Sequence, residues 1–197
     1  MQGDRNGVRV WHTPAGDGLG LYYFPLPPDI YVNTKSIDGV REFYRKTVRA
    51  GGSAIVEVES LTLDDCTTIR TIIKVPQQPS GMTYLGSLTL PFRDFSYVLK
   101  IQCPETGITG TRDSTVLNAL LKAGKVSIDN SGQLEAWMED PYDASVTGSL
   151  AKNKSEAEEY DLQFPSHPLT RLRAALGHVQ QTLRVNEELK NEARFEL

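Results

Sequence analysis

The stretch CTTIRTIIKVP, residues 66–76, decides the fold, because polar and apolar side chains alternate along it with a period of two residues. In an extended chain Ile69 and Ile73 project to one side, whereas Arg70 and Lys74 project to the other. The alternation predicts a strand with one buried face and one face in water. The same pattern recurs in three neighbouring runs, residues 54–59, 84–90 and 97–103.

The connections between these four runs are short and rich in turn-forming residues: Asp64-Asp65, residues 76–81 and residues 91–94. Strands joined in this way pair with their neighbours as an antiparallel meander. Cys66 then opens the second strand and Cys103 closes the fourth, at opposite ends of the sheet. We therefore expect no disulfide between the two cysteines.

Helices are predicted on either side of the meander. Ser36 can cap a first helix at about Ile37 to Ala50, and a second helix is expected from Asp113 to Ala123. A last helix is expected from Pro168 to Arg184, capped by Ser166 or His167. Its apolar residues are spaced as in a heptad repeat, which favours a helix laid across the sheet over a homodimer interface. These residues are Leu169, Leu172, Leu176, Val179 and Leu183.

Two further local patterns complete the expected order of elements. Gly18 to Phe24 is a short aromatic run followed by prolines, which is typical of a strand that ends there. Asp129 to Gly132 is a strong turn signal between two short strands.

The chain is therefore expected to be a single α+β domain over residues 1–197, an α/β sandwich. An antiparallel β-meander sheet of four to six strands carries helices on one face, and the C-terminal helix closes the core. Residues 140–166 are rich in small and acidic side chains, which indicates a long acidic surface loop or linker. Residues 185–197 are expected to form a C-terminal tail.

Composition and charge exclude several classes of protein. Hydrophobic residues make up 39% and charged residues 23% of the chain, and the formal net charge is −4. This charge argues against a nucleic-acid-binding protein, which normally carries a basic surface. No run approaches the ~20 apolar residues of a membrane span, and the first residues lack the apolar core of a secretory signal. We therefore expect a cytoplasmic protein with neither a membrane nor a nucleic-acid partner.

Three segments carry a resemblance to a known superfamily: Tyr23 to Pro27, the loop Gly107 to Asp113, and the closing helix from Leu169 to Leu183. In these segments and in its order of elements, the chain resembles the PsbP-like superfamily. That superfamily includes extrinsic photosystem II subunits, a Ran-binding nuclear import factor and adaptor chaperones of type VI secretion. The resemblance implies an α/β sandwich that binds other macromolecules and does not turn over a substrate.

The loop from Gly107 to Arg112 is the strongest candidate for a small-ligand site. Its two glycines let the main chain approach a ligand, and the following helix N-terminus with Arg112 could hold a carboxylate or phosphate. The candidate residues are Gly107, Gly110, Thr111 and Arg112. The alternative is a strand-to-helix turn in which Thr111 or Asp113 caps the helix and Arg112 pairs with a surface carboxylate.

Sequence motifs for metal binding and for catalysis are missing. His12, His167 and His178 have neither a cysteine nor another histidine at ligand spacing, so we expect no metal and no cofactor. No Gly-x-Ser-x-Gly elbow occurs, and neither cysteine has an evident histidine partner. We name no catalytic residue.

Charge is unevenly distributed along the chain. Residues 135–161 contain eight acidic and two basic side chains, so the rest of the chain is slightly basic. The acidic run with Glu156, Glu158 and Glu159 is interpreted as a solvated face or a docking strip for a basic partner. A basic stripe on the first helix could hold the acidic segment in place or recruit an acidic partner. The stripe consists of Arg41, Arg45 and Arg49.

The preferred functional prediction is a non-enzymatic protein-interaction module, an adaptor or chaperone-like protein. The alternative is a small-molecule or anion-binding protein, and conceivably an enzyme, that uses the Gly107 to Arg112 loop. A homodimer through the helix Leu169 to Leu183 is a third prediction.

Overall fold

An antiparallel sheet forms the centre of the protein in the computed structural model, which describes residues 2–5, 7–146 and 150–196. Its seven strands are β1 (Gln2–Arg5), β2 (Val8–His12), β3 (Gly18–Phe24), β4 (Ala54–Leu63), β5 (Cys66–Pro76), β6 (Met82–Pro91) and β7 (Ser96–Pro104). Their order in the sheet is β1-β2-β3-β7-β6-β5-β4. The predicted meander is therefore present as β4 to β7, and an N-terminal hairpin extends the sheet beyond the four to six strands expected.

Four α-helices and two minor ladders surround this sheet within the described residues. The helices are α1 (Ile37–Ala50), α2 (Thr111–Lys122), α3 (Pro168–Thr182) and α4 (Glu187–Lys190). The ladders join β8 (Ser127–Ile128) to β9 (Leu134–Glu135) and β10 (Met138–Glu139) to β11 (Lys152–Asn153), and 3₁₀ turns follow at Lys154–Glu156 and Glu158–Tyr160. The predicted α+β class is confirmed, and α1 has the predicted bounds.

Local chemistry explains where the main elements begin and turn. Ser36 caps α1, because its hydroxyl accepts a hydrogen bond from the Gly39 amide. The tight turn between β4 and β5 uses Asp64 and Asp65, both with positive φ, as the favoured two-residue hairpin turn requires. Cys66 and Cys103 are buried free thiols, as predicted.

Helices pack on both faces of the sheet, so the expectation of helices on one face only is wrong. Ile72 packs with Leu172 and Leu176 of α3, whereas its neighbour Ile73 packs with α1 on the opposite face. Lys74, predicted to be exposed, is only 2% exposed because it lies beneath the chain on the α3 side. Alternation along β5 thus separates residues that pack under α3 from residues that pack under α1.

The apolar face of α3 is part of the core. Leu169, Leu172 and Leu176 are completely buried against the sheet, which confirms a helix laid across it. At Gly86 of β6 the helix comes so close that an added Cβ would lie 2.7 Å from a Leu176 methyl carbon. These three leucines have no exposed area left for a second copy of the chain, whereas Val179 and Leu183 are half-buried. The homodimer through this helix stays a prediction.

Residues 150–157 are packed into the protein and do not form the predicted surface loop. Ser155 and Glu156 are completely buried, and Asn153 is 4% exposed. β11 pairs with β10, and the first 3₁₀ turn packs against α2. This part of the predicted 140–166 loop is thus packed against the body of the protein, whereas residues 147–149 lie outside the described residues.

The predicted 185–197 tail also contributes to the core over its described residues. Val185 is buried beside Phe92, and Phe195 packs against the cluster beneath α1. Arg194 forms an isolated β-bridge with Phe92. The chain end is therefore held against the sheet up to Glu196, whose carboxylate pairs with Lys35.

Candidate functional site

A cluster of charged side chains surrounds Glu156 on the face of the sheet that α3 covers. Its carboxylate accepts hydrogen bonds from Lys74 Nζ at 2.8 Å and from Tyr84 Oη at 2.7 Å. The Asn153 amide donates to the same carboxylate at 2.7 Å. The pair formed by Lys74 and Glu156 is almost inaccessible to water, so each charge depends on the other for its solvation. We call this cluster, with Arg112, Asp161, Arg173 and Glu57, the buried charge network.

Two arginines of the buried charge network hold the 3₁₀ turns in place. Arg112 donates to the carbonyls of Ser155 and Ala157 at 2.7 and 2.9 Å and to Asp161 Oδ1 at 2.9 Å. Arg173 donates to the Glu156 carbonyl at 2.8 Å and pairs with Asp161 and Glu57. Both guanidinium groups therefore act as clamps between main-chain segments that are far apart in sequence.

This geometry corrects the assignment of Arg112 to a ligand site. Its side chain is completely buried, and its donors are directed at protein atoms. The loop before it is also internally satisfied, because the Gly110 amide donates to the Glu105 carboxylate at 2.7 Å. Gly107 and Gly110 have positive φ, and Gly110 is the N-cap of α2 in place of Thr111 or Asp113. The start of α2 thus already binds a carboxylate, that of Glu105 within the same chain.

His167 touches the buried charge network but has no acid–base role there. Its Nδ1 accepts the Leu169 amide, as the predicted cap of α3, and its ring meets the Tyr84 ring at 5.5 Å. Burial, together with Arg112, lowers the pKa of His167 to about 3, so the imidazole stays neutral at physiological pH. Burial also raises the pKa of the Tyr84 hydroxyl well above its usual range. The His167 imidazole and the Tyr84 hydroxyl are therefore both neutral at physiological pH.

Two of the three arginines in the basic stripe of α1 contact residues 140–143 of the acidic segment. Arg45 pairs with Asp140 and Asp143 at 2.9 and 3.0 Å, and Arg41 stacks on the Tyr142 ring at 4.4 Å. Arg49 is exposed. The stripe therefore holds residues 140–143, one of the two roles predicted for it.

The predicted docking strip of acidic residues is split by the fold. Glu156 is completely buried, so the solvated face expected for it is wrong. Glu158 and Glu159 are exposed, with the Glu158 carboxylate 3.8 Å from Arg173. The burial of Glu156 follows from its pairing with Lys74, a residue 82 positions away in sequence.

The opposite face of the sheet carries an open depression that the sequence did not reveal. α1 packs on β4, which leaves β6 and β7 uncovered on this side. The proline-rich segment 24–30 forms a second wall, and the space between has a volume of about 550 Å³. We call this surface the apolar groove. Its lining includes Leu26, Pro27, Ile30, Tyr44, Val48, Ile73, Leu85, Ser87, Thr89, Val98 and Lys100.

The rim of the apolar groove keeps large apolar side chains in water. Leu26 is 69% exposed and Phe24 is 43% exposed, and both belong to the wall that faces α1. Tyr31, just beyond this wall, is 79% exposed. Neighbouring apolar side chains left exposed in this way mark contact surfaces more often than they mark free protein surface.

Hydroxyl groups are placed along the floor of the apolar groove. Thr71 and Ser87 form a hydrogen bond of 2.7 Å across neighbouring strands. Burial raises the pKa of Tyr44 to about 12, and Thr89 lies within hydrogen-bonding reach of its phenol. Tyr44 is therefore a neutral hydroxyl group, and the groove offers polar contacts without a nucleophile paired to a base.

The sequence carried two partial signals for the apolar groove. The prolines after β3 indicated that the chain leaves the sheet there, which is how the groove wall forms. The alternation in β6 assigned Ser87 and Thr89 to a wet face, and both line the floor of this open groove, with Ser87 half-buried and Thr89 buried. Contacts between segment 24–30 and α1 are tertiary and have no local pattern.

Within the described residues, no group of three or more His, Cys, Asp or Glu side chains is arranged to hold a metal ion. Burial raises the pKa of the Cys103 thiol to about 12, which keeps it protonated and unreactive. None of the helices described is both long and apolar enough to cross a membrane.

No protein-family model matches the chain, and no curated protein matches it. The resemblance to the PsbP-like superfamily thus stays a prediction.

Proposed function

We propose that this chain is a protein-interaction module that binds a short segment of a partner protein in the apolar groove. The observation that carries the proposal is the open groove of about 550 Å³ with Leu26 and Phe24 exposed at its rim. Such a module would act as an adaptor, joining its partner to whatever else it contacts.

The shape of the apolar groove favours a polypeptide segment over a small molecule. Small-molecule sites usually enclose most of the ligand surface, whereas this surface is open above β6 and β7. Exposed side chains such as Leu26 add contact area outside the depression, which a partner protein can use and a small ligand cannot. The Gly107 to Arg112 loop supports the alternative less well, because Arg112 is already bound within the chain.

The buried charge network has a supporting role in this proposal. It fixes residues 150–161 and α3 on one face of the sheet, and the same strands form the floor of the apolar groove on the other face. A rigid floor lowers the ordering cost of binding.

Selection from a random dodecapeptide display library tests the proposal directly. The folded chain is used as bait beside Ser87→Phe, which places an aromatic ring in the groove, and Thr62→Phe, which puts the same ring on an exposed position of β4 outside it. We expect peptides with bulky apolar anchors that bind wild type and Thr62→Phe and lose at least tenfold in affinity for Ser87→Phe. Peptides that bind all three proteins equally, or no enriched peptides at all, would overturn the proposal.

A further inference from the structure

We infer that the partner segment carries a single acidic side chain, set among its apolar anchors, which faces Lys100 at the edge of the apolar groove. The inference rests on the proposed function and specifies the chemistry of the partner.

Lys100 is placed to receive a carboxylate. It lies on β7, directly across from Ser87 on β6 and from Gly20 on β3, so its side chain rises from the same face as the groove floor. The side chain is exposed, and its ammonium group faces the Tyr22 ring rather than a carboxylate of the described side chains. Its charge is thus free to pair with a partner.

An aromatic ring lies beside the ammonium group of Lys100. Its Nζ lies 5.4 Å from the centre of the Tyr22 ring. That ring lies over Gly20, where an added Cβ would come within 2.6 Å of a ring carbon. A flat aromatic surface beside the ammonium group restricts its motion, which reduces the entropy lost when an ion pair forms.

The other charge on the groove limits how acidic the partner can be. Asp29 belongs to the wall formed by segment 24–30 and is close enough to Tyr44 to act on its ionisation. Among the described lining residues, Lys100 and Asp29 are the charged ones, so the lining is neutral overall. A run of acidic residues would be repelled by Asp29, whereas one acidic side chain at Lys100 would not.

The test uses the peptides selected on wild type, each synthesised with its acidic residue and with the matching amide, Asp to Asn or Glu to Gln. We expect the amide form to bind wild type about two- to fivefold more weakly, the range of an exposed ion pair. Lys100→Gln should bind both forms equally, and Lys100→Glu should prefer the amide form. Lys122→Gln, an exposed lysine on α2, serves as the matched control and should behave as wild type.

Each other outcome has a distinct meaning. Groove-dependent apolar peptides without an acidic position, or an acid preference that survives Lys100→Gln, would overturn the inference and leave the proposed function standing. An absence of groove-dependent peptides would overturn both. Binding of dodecanoate that depends on Lys100 and is blocked by Ser87→Phe, without any peptide binding, would assign the groove to a small amphipathic acid and overturn both as stated.

Discussion

The two faces of one sheet differ in a way that their sequences do not show. On the α3 face, charged residues such as Lys74 are sealed from water by Glu156 and its neighbours. On the α1 face, apolar residues such as Leu26 stay in water around the apolar groove. Charge is buried on the α3 face, where it joins distant segments of the chain, and apolar surface is exposed on the α1 face.

This contrast teaches that the chemistry of a side chain does not by itself assign it to structure or to contact. A buried ion pair is stable only when each partner is satisfied, so the buried charge network specifies one arrangement of the chain. Apolar side chains exposed at the groove do not stabilise the free protein, which makes the groove the better candidate for function.

Removing one partner of the buried ion pair should have the largest effect. Glu156→Gln leaves the Lys74 ammonium buried without a counter-ion, and we expect the free energy of unfolding to fall by about 3–5 kcal/mol in urea titrations. Glu158→Gln, at an exposed acid two positions away, should change it by less than about 0.5 kcal/mol. The double variant Lys74→Met/Glu156→Leu should recover only part of the loss, because it leaves no buried charge but removes the acceptor of the Tyr84 hydroxyl and the Asn153 main-chain amide. Equal effects at Glu156 and Glu158 would contradict a structural role.

Acid should weaken the α3 face through His167. The unfolded chain takes up a proton near the ordinary pKa of 6.5, whereas the folded imidazole stays neutral down to about 3. Its contribution is fully present above pH 6.5 and is lost as the pH falls towards 3, by about 1.4 kcal/mol per pH unit. His167→Asn keeps a capping side chain and removes this titration. Between pH 6.5 and 4.5 the variant should therefore lose about 2 kcal/mol less stability than wild type. Parallel pH profiles would contradict a buried neutral histidine.

Crowding between α3 and the sheet should also be measurable. Gly86→Ala adds a methyl group 2.7 Å from a Leu176 methyl carbon, and we expect a loss of about 1–3 kcal/mol in thermal or urea unfolding. Leu176→Ala makes room for it, so Gly86→Ala should be less harmful in that background than in wild type. An additive double variant would show that the helix does not approach the strand this closely.

The smallest effect is expected at the basic stripe of α1, where the ion pairs are partly exposed. Arg45→Gln removes the pairing with Asp140 and Asp143 and should cost about 1 kcal/mol, with faster amide exchange in residues 140–146. Arg49→Gln, one turn further along the helix and exposed, should leave the free energy of unfolding and the amide exchange of residues 140–146 unchanged within error. Equal exchange rates in the two variants would remove Arg45 as the anchor of this segment.

The sequence predicts local order well and long-range burial poorly. The alternation around Ile69 and Ile73 fixes the strands and their meander, and Ser36 fixes the start of α1, because these signals act over a few residues. Lys74 and Glu156 look like solvated residues in isolation. Their pairing depends on a fold that brings together residues 82 positions apart, which no period in the sequence reports.

The candidate site could be predicted only in outline. The prolines after Phe24 mark a break in the sheet, but the groove exists because segment 24–30 packs beside α1 and leaves β6 and β7 open. Arg112 had the features of an anion-binding residue in sequence, and its partners proved to be main-chain carbonyls of the segment that composition assigned to a surface loop.

The most direct test of the central claim is a map of amide chemical shifts in the ¹H–¹⁵N spectrum during titration with the tightest selected peptide. We predict saturable changes at Ser87, Thr89, Val98 and Lys100 and along segment 24–30, with the amides around Glu156 unchanged. Changes centred on the Gly107 to Arg112 loop or on the buried charge network, with the groove silent, would contradict the division between a structural face and a contact face.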